Sequence, residues 1–183
     1  MPNERELVNN ILEGREEYFE QIVDEHKNKV YNFVLNIIYN REDAQEIVME
    51  AFYRFYKDLK NFKGHCKIST YIYQIAKNLC KDYIKKKKAI TASLEEMENF
   101  IQTGTNSEEI YIKKEESRQI LNALKSLKNG YKEAIILREL EGLSYEQISE
   151  ILNENINTVK TKIRRARQDL ALQLKDMVRS DAE

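Results

Sequence analysis

Five basic residues and no acid fill the stretch from Lys160 to Arg167. Val159, Ile163, Ala166 and Leu170 recur there at helical spacing, so they share one side of a helix. The other side then presents Lys160, Thr161, Arg164, Arg165 and Gln168. An arginine fork matches the paired acceptors of guanine, and lysine serves guanine or phosphate, so this chemistry is polyanion reading and not bond making. A second set, Tyr71, Gln74, Asn78, Lys81 and Lys85, recurs every three or four residues, with Tyr73 and Lys77 at its flanks. Aromatic faces among lysines suit unpaired bases, and the adjoining loop with Lys63, His65, Cys66 and Lys67 suits an extruded one. Tyrosines in a helix serve more often as core or rim packing, and both readings stay open here.

Catalytic chemistry is not expected. The chain has no Ser-His-Asp or Cys-His constellation and no phosphate-cradling glycine loop. His26, His65, Cys66 and Cys80 lack the paired spacing of a zinc site, so neither metal nor cofactor is expected. Two cysteines make no disulfide framework. No apolar run approaches the roughly 18 residues of a membrane span, and residues 1–6 carry no signal-peptide core, so a cytoplasmic protein without membrane insertion is expected.

The elements that must position these residues are helices. Only five Gly and one Pro punctuate 183 residues, and the apolar pattern has helical period almost throughout. A short amphipathic piece ends at Gly14. A long helix from about Glu16 is followed by one that Asn40 caps and another that Ser69 or Thr70 caps. The net charge of −1 hides segregation: eight lysines and one acid lie between Lys63 and Lys88, then seven glutamates between Leu94 and Glu116. Periodicity fades in that acidic stretch. The expected fold is all-α, with two small helical domains at 1–90 and 118–183 joined by a flexible acidic linker at 91–117. Gly142 ends a helix, and Ser144 with Gln147 forms a capping-box pattern for the next. Asn153 to Asn155 suit a tight turn, and Asn157 is the expected cap of the basic helix. A short helix, a turn and a longer basic helix make a helix-turn-helix, whose second helix enters the major groove.

Three blocks together resemble the sigma-70 family, in its extracytoplasmic-function (ECF) branch. The block from Asp43 to Phe52 is similar to region 2.2, which grips the β′ clamp of RNA polymerase. The resemblance thus implies core-polymerase contacts at Asp43, Gln45, Glu46, Met49 and Glu50. The block from Ser69 to Tyr83 is similar to regions 2.3 and 2.4. It implies capture of the −10 element by the loop and stripe residues above, with Tyr71 where the family usually has Trp. The block from Leu137 to Tyr145, with Thr158 to Thr161 and Arg164 to Arg167, resembles region 4. It implies −35 contacts at Arg138, Ser144, Tyr145, Asn157, Thr158, Lys160, Thr161, Arg164, Arg165, Arg167 and Gln168. The usual Leu-Pro before this region is Leu127-Lys128 here. The resemblance implies a sigma factor without catalytic activity whose partners are core RNA polymerase (β′ clamp and β flap), double- and single-stranded promoter DNA, and an anti-sigma factor. A stand-alone helix-turn-helix regulator is the alternative; it accounts for the last third of the chain only.

Overall fold

A computed structural model describes residues 4–95, 120 and 122–180, and all their regular structure is helical. In α1 (Glu4–Leu12), Val8 and Ile11 are buried. Next come α2 (Glu17–Ile38) and α3 (Arg41–Asp58), joined by Tyr39 and Asn40. Tyr39 takes a left-handed φ of 57° and closes α2 by donating its amide to the Leu35 carbonyl at 2.8 Å. Asn40 caps α3 as expected, its Oδ1 accepting the Asp43 amide at 3.0 Å. Phe33 and Phe55 are fully buried, and burial of such a side chain contributes about 1.5–3 kcal/mol.

The bundle is completed by α4 (Ile68–Glu95), which buries Ile72, Ala76 and Cys80. Its start corrects an expectation. Neither Ser69 nor Thr70 caps it; the Glu4 carboxylate of α1 accepts the Ile68 amide at 3.0 Å, and Thr70 is buried. Arg5 donates to the Lys63 carbonyl at 2.8 Å, so α1 pins the loop before α4 from outside. A cap from 64 residues away leaves no local signature. The helix runs through the lysine run as far as Glu95, and residues 96–117 of the expected linker lie outside the described residues.

The second unit holds a helical turn at 122–126 (α5), then α6 (Asn129–Glu139), α7 (Tyr145–Leu152) and α8 (Ile156–Ser180). Ile136, Leu137, Ile148, Ile151, Val159 and Ile163 form its core. The units then meet face to face: α4 packs on α7 and α2 on α6, and buried side chains of both form one continuous cluster. This contact places Tyr73, Gln74 and Lys77 of the second residue set against protein.

Candidate nucleic-acid interface

The chain from Gly142 to α8 is built by local chemistry. Gly142 has a φ of 67°, a left-handed conformation that disfavours a Cβ, and the turn lets the Leu143 amide reach back to the Leu137 carbonyl at 3.0 Å. Ser144 and Gln147 make both bonds of the capping box, at 3.2 and 2.9 Å. Asn153 takes φ 54°, which asparagine tolerates well, and turns the chain into α8. Asn155, not Asn157, caps that helix. Its side chain accepts the Asn157 amide at 2.9 Å and its carbonyl accepts the Val159 amide at 3.1 Å. Two asparagines two apart are indistinguishable as caps until the turn geometry selects one.

On α8, Val159, Ile163 and Ala166 are buried as expected, while Asn157, Thr158, Lys160, Thr161, Arg164, Arg165 and Gln168 are exposed together. Arg165 Nη1 donates to the Tyr131 hydroxyl at 3.1 Å, which fixes the guanidinium at one edge of this face. Tyr131 was not legible as a site residue, because it lies 34 positions away on α6. Several other residues that the resemblance assigned to DNA are engaged inside the unit. Arg138 donates to the Leu143 carbonyl at 2.7 Å and lies over the Tyr145 ring, 4.7 Å from its centre. Ser144 spends its hydroxyl on the cap, and Arg167 pairs with Glu139 at 2.5 Å. Lys160 also lies over Tyr145, at 5.6 Å.

The −10 set divides in two. Lys63, His65, Lys67, Asn78, Lys81 and Lys85 are exposed. Tyr71 is partly buried, with its ring against Phe55 and Phe62 and its hydroxyl donated to Asp58. That bond holds the Asp58 carboxyl below its usual range and pushes the Tyr71 phenol up to about 12. Tyr73 is only 3% exposed, edge-on to Phe33 with ring centres 5.4 Å apart. Its hydroxyl donates to Glu141 at 2.9 Å, across the boundary between the units. Gln74 donates to the Glu150 carbonyl at 2.8 Å, and Lys77 to those of Ile151 and Leu152 at 3.0 and 3.4 Å. Burial lowers the pKa of Lys77. Of the two readings left open for this set, packing therefore holds at Tyr71 and Tyr73, and Gln74 and Lys77 are engaged by the chain itself. Helical spacing places residues on a side but does not show which neighbour arrives there.

On α3, Gln45, Glu46 and Met49 are exposed. Asp43 accepts from the Tyr83 hydroxyl at 2.5 Å and Glu50 from Arg54 at 2.6 Å. Beside Met49 lies a groove of about 610 Å³ between α2 and α3, floored by Phe19, Val23 and Phe52 and rimmed by Tyr53 and Tyr56. Met49 is 72% exposed and Tyr53 52%, an apolar surface of which the sequence reading named only Met49. Among the described residues no three His, Cys, Asp or Glu side chains gather as a metal ion requires, and no helix is long and apolar enough to cross a membrane. Burial pushes the Cys80 thiol up to about 12 and raises that of Cys66.

Described residues that are helical throughout, with a helix-turn-helix in one unit and an exposed lysine-rich helix in the other, define the class of a helical DNA-binding protein. Residues 22–90 match the family described as Sigma-70 region 2, and residues 117–170 match Sigma-70, region 4. The chain is 33% identical over 182 residues to the ECF RNA polymerase sigma factor SigW of Bacillus subtilis (strain 168), covering 94% of this chain and 97% of that one. It is 30% identical over 182 residues to the ECF RNA polymerase sigma-E factor of Escherichia coli (strain K12), covering 94% and 95%. The chain belongs to the sigma-70 family, in its ECF branch, and is a sigma factor for transcription initiation. A stand-alone regulator would leave the match at 22–90 without explanation. In fold it resembles CnrH, solved with the cytosolic domain of CnrY, at a TM-score of 0.72 and 19% identity over 95% of this chain and 98% of that one. It also resembles the sigma factor RpoE of Bartonella quintana, solved with the anti-sigma factor NepR, at 0.67 and 22% over 86% and 96%.

Proposed function

We propose that this sigma factor acts purely by binding, with each step assigned to a different surface. The exposed face of α8, led by Lys160, Arg164 and Arg165, reads the −35 duplex from the major groove. Core polymerase docks on α3 through Gln45, Glu46, Met49 and Glu50 and fills the apolar groove beside Met49. The loop from Lys63 to Lys67 and the start of α4 capture −10 bases as the duplex opens. In this reading the working units are 1–90 and 118–183, with 91–117 as the tether between them. The protein works in the cytoplasm, where polymerase is, and needs no metal or cofactor. CnrH and the Bartonella RpoE were each solved with a binding protein, and an anti-sigma partner belongs to the same reading here.

The observation that carries this function is the exposed basic face of α8 on a capped helix-turn-helix, in a chain whose other unit offers a separate apolar groove. Run-off transcription tests it. Core polymerase with the full chain should initiate at discrete sites in a genomic template library, and core polymerase alone should not. Glu46→Lys with Glu50→Lys should abolish co-purification with core polymerase while the helical circular dichroism is unchanged. Retained binding would move the docking surface away from α3.

A further inference from the structure

The loop assigned above to −10 base capture is braced by α1, a helix that lies ahead of the residues 22–90 matched as region 2. Phe62 ends the packed stretch before the loop, its ring against Phe55 and Tyr71, and Ile68 is buried where α4 begins. Between them Lys63, His65 and Lys67 are exposed. Among the described residues, no backbone–backbone hydrogen bond involves Lys63, Gly64, His65 or Cys66. The fixings come instead from two neighbouring side chains of α1. Arg5 donates to the Lys63 carbonyl at 2.8 Å, and the Glu4 carboxylate accepts the Ile68 amide at 3.0 Å. Both ends of the loop are thus tied to one helix, which Val8 and Ile11 anchor in the core. Gly64 lets Arg5 cross to its acceptor. Its φ is 69°, and a Cβ there would lie 2.8 Å from the Arg5 Nε and 2.9 Å from its Cγ. Glu4 also attracts the charge of Lys67, one of the exposed loop residues.

A loop without hydrogen bonds of its own samples many shapes. A ligand that needs one of them binds more weakly, in proportion to the fraction of molecules that hold it. Fixing the shape beforehand removes that cost. We propose that Glu4 and Arg5 are positioning residues for −10 recognition: they touch no base, and they hold the loop in the shape that selects one. This rests on the assignment of the loop to strand capture. It makes α1 a specificity element, through which a change at Glu4 or Arg5 alters promoter choice while every base-reading residue stays in place. If α1 merely completed the bundle, its loss would weaken all promoters alike.

The test uses holoenzyme assembled from core polymerase and the full chain, on a barcoded promoter library with a fixed −35 element and a randomised −10 element. Sequencing the transcripts gives the base preference at each −10 position, and thermal unfolding of the free chain gives its stability. Arg5→Ala and Glu4→Ala each remove one tie; Arg5 is exposed, so its replacement leaves the core untouched. Arg5→Lys keeps a donor for the Lys63 carbonyl, and Glu4→Gln keeps an oxygen for the Ile68 amide. In the alanine variants, transcription from the preferred members should fall about tenfold, as expected when the untied loop holds its capture shape in roughly one molecule in ten. Members without the preferred bases do not use the loop and should change little. The conservative variants should restore much of the preference. Alanine variants that keep the parent's preference, or that lose transcription equally from all members with a lowered melting temperature, would overturn the proposal. His65→Ala with Lys67→Ala probes the loop itself. If that variant keeps the parent's preference, the assignment of the loop to strand capture is what fails, and the role of α1 falls with it.

Discussion

Arg165, the residue proposed above to read the −35 duplex, is held by the Tyr131 hydroxyl. Arg165→Ala should weaken binding to a −35 duplex by about 1–3 kcal/mol if the guanidinium meets a base edge, measured by anisotropy at fixed salt. Tyr131→Phe keeps the ring and deletes only the hydroxyl that holds Arg165. It should cost less, at the same base position, and add little in an Arg165→Ala background. Additive losses would show that Tyr131 acts by itself. Tyr71 and Asp58 allow a test by pH. The carboxyl is depressed, so its stabilising bond is present above the unfolded value near 4 and is lost as pH falls through the lower folded value. The phenol is raised, so its contribution holds below about 10, its unfolded value, and is lost as pH rises toward about 12. Tyr71→Phe should therefore be less stable than the parent at neutral pH, with the difference in melting temperature vanishing at both extremes. A difference that persists in strong acid would assign the effect to packing against Phe55 and Phe62.

At the scale of elements, the helix-turn-helix depends on its punctuation. Ser144→Ala removes one bond of the capping box and should cost about 0.5–2 kcal/mol in chemical denaturation. Gly142→Ala meets no neighbouring atom but forces a Cβ into a left-handed conformation, at roughly 1–2 kcal/mol. Both should reduce −35 binding only as far as they unfold the unit. A loss of affinity under fully folding conditions would place Ser144 in the DNA contact that the sequence resemblance suggested. These caps were legible because capping is local: donor and acceptor sit three residues apart. The cap of α4 was not, because Glu4 arrives by folding.

Among the described residues, the apolar cores of the two units are continuous. Calorimetry of the parent should accordingly show one cooperative transition, with calorimetric and van't Hoff enthalpies in agreement. Two resolved transitions would mean that the contact between α4 and α7 contributes little to stability. The sequence by itself determined the all-helical class, the helix-turn-helix and the basic face of α8. Each follows from a period of 3.6 residues, a local cap or a run of like charge, all written in neighbouring positions. Only the tertiary structure decided that Tyr73, Gln74 and Lys77 face the other unit, that Tyr131 holds Arg165, and that Met49 borders an apolar groove. Those facts depend on which surfaces meet between separate stretches of the chain, and the free energy that selects the meeting is burial summed over both partners. A helical period shows that a side chain leaves its own helix on a given side; what waits for it there belongs to the fold.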